Sequence, residues 1–542
     1  MVKEGCTYDR LKNRAKTYSL SERSNGKLEG QNDRVTQDKI ESLLKKFPFQ
    51  LLKIYSNSFR RAGTLHYVLI RCPEGKRLAI VGEREKLVED PFRGEIFSGR
   101  PGLKLCDLSL ENTRCLMELF AFTRPVALRH VPFTFGPGDR LGNATPGHLK
   151  AVQKFEIRPV LAQQSVRENK QTGRTYPEVI ADAAWAVFQE GYEEGYGADG
   201  DHLKSLEELG DALRAGVSMV TLDLSEVLDL GAFELSSEEL DRSFDDVVDR
   251  GDQEVLFHLF LDKEFRFWGA QGPFSLGFDK ETIKRNLLLY HRALDLTEAF
   301  RQSIDSWTNH RPLIDFEISI DETTFPTSPE SHLFFVIQLQ HRGVHFDSLA
   351  PRFVGEFQKG IDYIGDLHEF RVQFDRHAAV ARDMGGYKLS IHSGSDKFSA
   401  FPIMGEHSEG LLHVKTAGTS WLEAVRLVAL MAPSLYREIH EYALRVFEEA
   451  SKLYHVTAEP GRIPRLQDLP DEKLPELLNQ RDSRQLLHIT YGFLLNARFP
   501  DGKDRFRRRF YEVLDRYEET YWDLLARHME RHLDLLGARK KP

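Results

Sequence analysis

Between Leu128 and Ala450 the chain switches repeatedly from short apolar or alternating runs to longer stretches with helical spacing, and the exchange occurs eight times. The strand-like runs are ALRHVPFTFG (127–136), IRPVLAQQS (157–165), YGADGDHL (196–203), VSMVTLDLS (217–225), LIDFEISID (313–321), VHFDSLA (344–350), YKLSIHS (387–393) and LLHVKTAG (411–418). Helical runs follow them, among them PEVIADAAWAVFQEGY (177–192), SLEELGDALRAG (205–216) and, after the last strand, SWLEAVRLVALMAPSLYREIHEYALRVFEEA (420–450). In SPESHLFFVIQLQHRG (328–343), Ser328 and Pro329 supply an N-cap and a first residue; LHEFRVQFDRHAAVARDMGG (367–386) ends on glycine. Strands separated by helices pair in parallel, because the chain must cross back over the sheet before laying down the next strand. Eight such units predict an α/β chain with a (β/α)8 barrel, and a doubly wound open sheet is the competing architecture.

The barrel would occupy 126–450, with an insertion around 226–312 that reads as mostly helical. Residues 1–37 are polar and charged and read as a flexible leader. Residues 38–125 read as a small α+β domain, in which HYVLIRC (66–72) and RLAIVGE (77–83) flank the turn formers PEGK as a hairpin. Residues 451–542 are helical and rich in Arg, Glu and aromatics; the barrel's flank and a partner subunit of a homo-oligomer are both open as packing sites.

Charge and cysteine usage exclude several classes. A net charge of -9 without a long basic block argues against a nucleic-acid binder. RFRRRF (505–510) lies in a helix with compensating acids, and FGPGDRLG lacks the spacing of a nucleotide loop. No apolar run approaches the ~18–20 residues of a membrane span, and the first residues lack the apolar core of a signal peptide. Cys6, Cys72, Cys106 and Cys115 form no CxxC pair, so free thiols in a reducing, cytoplasmic setting are expected rather than a four-cysteine zinc site.

In such a barrel the reactive groups sit at the C-terminal ends of the strands. Asp139 and Arg140 fall after the first, Asp201, His202 and Lys204 at the third, Asp223 at the fourth, and Asp315 and Glu317 on the fifth. His345, Asp347 and Asp362 lie near the sixth, His392 at the end of the seventh, and Lys415 at the eighth. Histidines and carboxylates converging from several strands suit a divalent metal, although a single strand-end histidine can equally be structural. Asp315, Glu317 and Ser319 share one strand face, where carboxylates inside a barrel call for a metal, a proton or an ion pair. The loops SGSDKFS and TAGTSW are small, polar and rich in backbone donors, which suits an anion. Candidate substrate contacts are Arg140, Lys204, Ser393, Ser395, Lys397 and Lys415.

Four strings in order, FGPGDRLGNATPGH, GADGDHLK, SLAPRFVGEFQKGIDYIGD and YKLSIHSGSDKFS, resemble the tagaturonate epimerase family of bacterial hexuronate catabolism, with the likeness running from about Phe47 to the C-terminus. The resemblance implies a metal-dependent enzyme that interconverts D-tagaturonate and D-fructuronate, with fructose and tagatose as substrates of some relatives. It implies Asp201 as proton acceptor and Glu317 as the opposing acid/base. His202 and His392 are implied as metal ligands, with Asp362 as the third and His345 as its alternative. The cation could be Zn, Ni, Mn or Co.

Chemistry narrows the route. In a 2-ketose the C4 hydrogen is not acidified by the C2 carbonyl, so enolisation cannot invert C4. The C4 hydroxyl is β to that carbonyl, and a retro-aldol step can break C3–C4, let the aldehyde turn, and re-form the bond. A transient oxidation at C4 would need a nicotinamide, and no dinucleotide fingerprint is present. A class II-type aldolase, a ketose isomerase and a non-catalytic sugar-binding barrel are the competing functions.

Overall fold

The structure, a computed structural model, describes residues 31–309 and 312–542. Most of the expected leader, with Cys6, lies outside the described residues; its last part does not hold as a leader, because Gln31–Leu44 is a helix. The described residues fall into two compact units, one running to Ala121 together with Phe188–Gly191 and the other holding the rest.

The first unit is built on six antiparallel strands: β1 (Lys53–Ile54), β2 (Arg60–Ala62), β3 (Leu65–Cys72), β4 (Gly75–Gly82), β5 (Glu95–Phe97) and β6 (Gly102–Cys106). The expected hairpin is β3–β4, registered from His66↔Val81 to Cys72↔Gly75. One face carries Val68, Ile70, Ala79, Val81 and Leu103, which pack with Ile40 and Leu44 of the Gln31–Leu44 helix. A two-residue period on strands and a helical period on their cover bury one shared apolar layer.

The second unit is a closed barrel of eight parallel strands: β7 (Phe133–Gly136), β8 (Arg158–Ser165), β9 (Gly197–Leu203), β10 (Met219–Asp223), β13 (Asp315–Ile320), β14 (Ser348–Pro351), β15 (Lys388–Ile391) and β16 (Leu412–Lys415). The last strand closes on the first, from Leu412↔Phe133 to Lys415↔Gly136. Every strand expected from the sequence is present, shorter at its ends, and the open-sheet alternative falls because no edge is left. Ser328 caps the helix Pro329–His341 by accepting from the Ser331 amide at 3.0 Å.

Two segments differ from expectation. The insertion between β10 and β13 includes an antiparallel hairpin, β11 (Glu264–Gly269) with β12 (Gly272–Gly277), beside its helices. The helix expected over 420–450 is two, Ala417–Met431 and Pro433–Ser451, because Pro433 has no amide to donate across the break. Residues after Ser451 begin as short 3-10 turns and end in the helix Glu518–Leu535. That helix lies on the barrel: Tyr521 donates to the Ser420 carbonyl and Trp522 to the Asn143 carbonyl, each at 3.0 Å. No helix among the described residues is long and apolar enough to cross a membrane.

Candidate active site

The strand register itself assembles the site. Parallel pairing sets Glu317 of β13 between Thr221 of β10 and Ser348 of β14. Glu317 is fully buried, and those two hydroxyls donate to it at 3.3 and 2.6 Å. On β9 the register against β10 shifts between Val220 and Leu222. The bulge sits at Asp201–His202, with His202 in the left-handed region at φ 57. Lys415, the last residue of β16, reaches across the interior. Its Nζ lies 2.9 Å from Asp199, 2.8 Å from Asp201, 2.7 Å from Glu317 and 2.7 Å from Thr221.

One cation among three buried carboxylates sets their protonation. Burial pushes the Asp201 carboxyl up, but His202 and Lys415 outweigh it and hold the group well below the ordinary range. Glu317 behaves alike: burial is overcome by Lys415 and by the His392 hydrogen bond. Asp199 is different, because burial and the neighbouring charges of Asp201 and Glu317 together lift it to about 6 against the pull of Lys415. Lys415 pays a desolvation cost but is held far above its usual range by the carboxylates.

Each of the two histidines is braced by one of these acids. His202 Nδ1 is 2.7 Å from Asp201 Oδ1, and its Nε2 makes no hydrogen bond among the described residues. His392 Nε2 is 2.9 Å from Glu317 Oε1. Its buried Nδ1 lies 3.2 Å from Asp321 Oδ1 without forming a hydrogen bond. Burial pushes the His392 imidazole down, and the Asp321 charge more than reverses this, lifting it to about 10. Donor atoms of His202, Asp321 and His392 all lie within 4.8 Å of one another. Two imidazoles and a carboxylate, each imidazole oriented by a second acid, form a donor set that fits Zn, Ni, Mn or Co. A second group, His202 with Asp223 and Glu322, shares His202 but is more exposed.

Asp201, His202, Asp321, His392 and Lys415 line a cavity of about 440 Å³ at the C-terminal ends of the strands, whereas Asp199 and Glu317 are buried and do not line it. Arg140, Lys204, Ser393, Ser395 and Lys415 are on its wall, as expected. Lys204 is already engaged there, 2.9 Å from Glu226 and 3.2 Å from the Ser225 hydroxyl. Ser393 follows His392 at φ 51, again left-handed, and Asp396 follows at φ 62. Two cavity-lining residues, His202 and Ser393, thus hold sparsely used backbone conformations of the kind found at functional sites.

Three expectations are corrected. Asp362 is exposed and lies off the cavity; it accepts from the Ser399 amide and hydroxyl at 3.0 Å each and ties two loops together. Asp321, one residue beyond the end of β13, takes the place proposed for it beside the histidines. His345 is exposed and precedes β14, at the opposite end of the barrel. Lys397 has no exposed surface and does not line the cavity: its Nζ donates to the carbonyls of Gln358, Ile361 and Ser395 at 2.8, 2.7 and 2.8 Å. Burial pulls its ammonium down to about 7, and the three carbonyls offset that cost. Lys397→Met therefore strands three carbonyls and should cost ~3–5 kcal/mol of stability; an unchanged thermal midpoint would show that other donors reach them.

Sequence reading passed over Asp199, Asp321, Arg167, Lys359 and His488. Asp199 had a signal, since it stands two residues from Asp201 on the same strand. Asp321 closes DFEISID and also had one. Arg167, Lys359 and His488 line the cavity from unrelated segments with no spacing to mark them.

Comparison with known proteins gives the family. Residues 55–536 match the model of the tagaturonate epimerase family UxaE. A tagaturonate/fructuronate epimerase of Thermotoga maritima is 40% identical over 444 residues, covering 82% of this chain and 89% of that protein. The native crystal structure of the fructuronate-tagaturonate epimerase UxaE from Cohnella laeviribosi superposes with a TM-score of 0.86 at 45% identity, over 93% of this chain and 100% of that one. A two-glycerol complex of the same Cohnella protein gives a TM-score of 0.86 at 44% identity, with the same coverage. With family model, curated relative and barrel in agreement, this chain belongs to the tagaturonate epimerase family and is an isomerase of the epimerase type.

Proposed function

We propose that the chain inverts C4 of a 2-keto hexuronate, interconverting D-tagaturonate and D-fructuronate, with a divalent cation held by His202, Asp321 and His392. The observation that carries this reading is the Lys415 bridge. It keeps Asp201, on the cavity wall, and the fully buried Glu317 ionised together, 2.8 and 2.7 Å from a single ammonium. The names of the Thermotoga and Cohnella relatives supply the substrate pair.

Asp201 is the base for the C4 hydroxyl proton. As that proton leaves, the O–H pair becomes the second C4–O bond, and the C3–C4 pair passes into the C2–C3 enolate. No oxidant or reductant is consumed. The aldehyde half turns its other face, the C3–C4 bond re-forms, and the proton returns to the C4 oxygen. Glu317, fully buried and 2.9 Å from His392 Nε2, serves as the partner acid/base through that cavity-lining imidazole. When bound, the cation supplies Lewis acidity that offsets negative charge developing on the substrate oxygens. Tagatose and fructose are proposed as secondary substrates of the same machinery. Cys72, Cys106 and Cys115, unpaired among the described residues, are in keeping with a cytoplasmic setting.

The test is a carbon NMR assay of fructuronate with the untreated, chelated and metal-restored protein. Tagaturonate should appear, vanish by at least ~10²-fold on metal removal, and return on add-back. Full activity without metal defeats the cation. Release of free trioses instead of tagaturonate favours the aldolase alternative. Incubation with a labelled three-carbon aldehyde acid should give slow exchange into product, whereas hydride loss from C4 without exchange defeats the retro-aldol route.

A further inference from the structure

The cavity wall divides by charge around the barrel. The closed strand order sets β9, β10 and β13 side by side, and the segments after them bring Glu208, Asp223, Glu226, Asp321 and Glu322 to the wall. The other five strands, β14, β15, β16, β7 and β8, form the opposing arc. The loop after β7 brings Arg140, the segment after β8 brings Arg167, Glu168 and Lys170, and the loop after β14 brings Lys359. The one cation on the acidic arc, Lys204, is paired with Glu226, and on the other arc Lys415 is already engaged by the inner carboxylates.

On the basic arc the single acid is spent. Glu168 accepts from Arg140 Nε at 2.8 Å and Nη2 at 2.5 Å. The third Arg140 nitrogen, Nη1, is buried with no partner, in a side chain only 3% exposed. Arg167 makes no ion pair among the described residues, and its guanidinium lies 5.0 Å over the Tyr454 ring. Lys359 Nζ donates to Ser393 Oγ at 2.7 Å and meets no carboxylate among the described residues. Burial and the nearby Arg167 charge push its ammonium down, which an incoming anion would relieve. Three cations with one shared counter-ion, converging on a cavity, make an anion site.

We infer that Lys359 and Arg167, with the open edge of Arg140, form the subsite for the substrate carboxylate, and that Lys359 sets the preference for an acidic over a neutral ketose. The inference rests on the uronate reading above. In ketose numbering the carboxylate is C6, two carbons from C4. Anchoring it on the basic arc leaves the ketone end toward the acidic arc, where His202 and Asp321 stand.

The experiment pairs steady-state kinetics on fructuronate with calorimetric titration of D-glucuronate, a uronate that has no ketone. Lys359→Met should raise the fructuronate KM and weaken glucuronate binding by ~10–100-fold, the loss of one charge-assisted contact, with a smaller change in kcat. Lys359→Arg should recover most of the KM. Arg167 is exposed, so Arg167→Met keeps the fold in any case and should raise KM by ~3–10-fold. Fructuronate KM and glucuronate affinity within about twofold of wild type in both Met variants would overturn the subsite. Wild-type protein inactive on both fructuronate and tagaturonate would instead overturn the substrate reading, and the glucuronate titration would still report on Lys359.

Discussion

Lys415→Met is expected to lower turnover by ~10²–10⁴-fold while the protein still folds at reduced stability. The substitution leaves Asp199, Asp201 and Glu317 buried together without the ammonium that contacts all three. Like charges at that spacing in a dry interior cannot all stay ionised, so the cluster takes up protons at neutral pH. The proposed base is then protonated, and the step that needs it stops. Removing one member of a buried ionic group also costs ~3–5 kcal/mol. The pH behaviour separates this from simple misfolding. In the wild type Asp201 and Glu317 have folded-state values below their unfolded ones. Their stabilising contribution is therefore complete above the unfolded range of ~4 and is lost as pH falls below it. In Lys415→Met the carboxyl values rise, so the acidic limb of the rate profile should move up toward neutral pH and activity should partly return in alkali. Turnover within tenfold of wild type, with an unmoved acidic limb, would mean that Lys415 only fills space.

His392→Ala and Asp321→Ala should each abolish turnover and lower metal affinity beyond the ~10–100-fold typical of outer-shell partners. Asp362→Ala should leave metal content alone and cost only the Ser399 tether. The three variants test the same question that sequence and structure answer differently, and elemental analysis of the purified proteins reads it without reference to activity. Two physical effects act in His392→Ala. The cavity loses a donor, and Glu317 loses its imidazole partner at 2.9 Å. His392→Gln keeps a hydrogen bond to Glu317 but not the imidazole, so it should regain stability without regaining metal. Metal retained by Asp321→Ala and lost by Asp362→Ala would restore the sequence-based assignment.

The contrast between Asp321 and Asp362 shows where sequence reasoning stops. Strands and their ends were legible because burial on both faces writes near-continuous apolar runs, and a side chain on a strand inherits its direction from a two-residue period. Asp201, His202, Glu317, His392 and Lys415 were all reached in that way. Asp362, Lys397 and His345 lie in connecting segments, whose direction depends on tertiary packing rather than on a period. Lys397 turns inward to three carbonyls, and Asp362 turns outward to Ser399. Arg167 and Lys359 were missed for the same reason, since nothing in spacing joins a helix after β8 to a loop after β14. The hairpin β11–β12 was missed inside an insertion whose helical neighbours dominated its pattern.

The bulge on β9 has a mechanical meaning. A regular strand sends neighbouring side chains to opposite faces, so Asp201 and His202 could not both have served one cavity without the extra residue and the left-handed turn at His202. Consecutive placement welds the two groups to a single peptide plane. Any shift of the imidazole would carry the carboxylate with it, so the proposed proton acceptor and the proposed ligand beside it move as one unit.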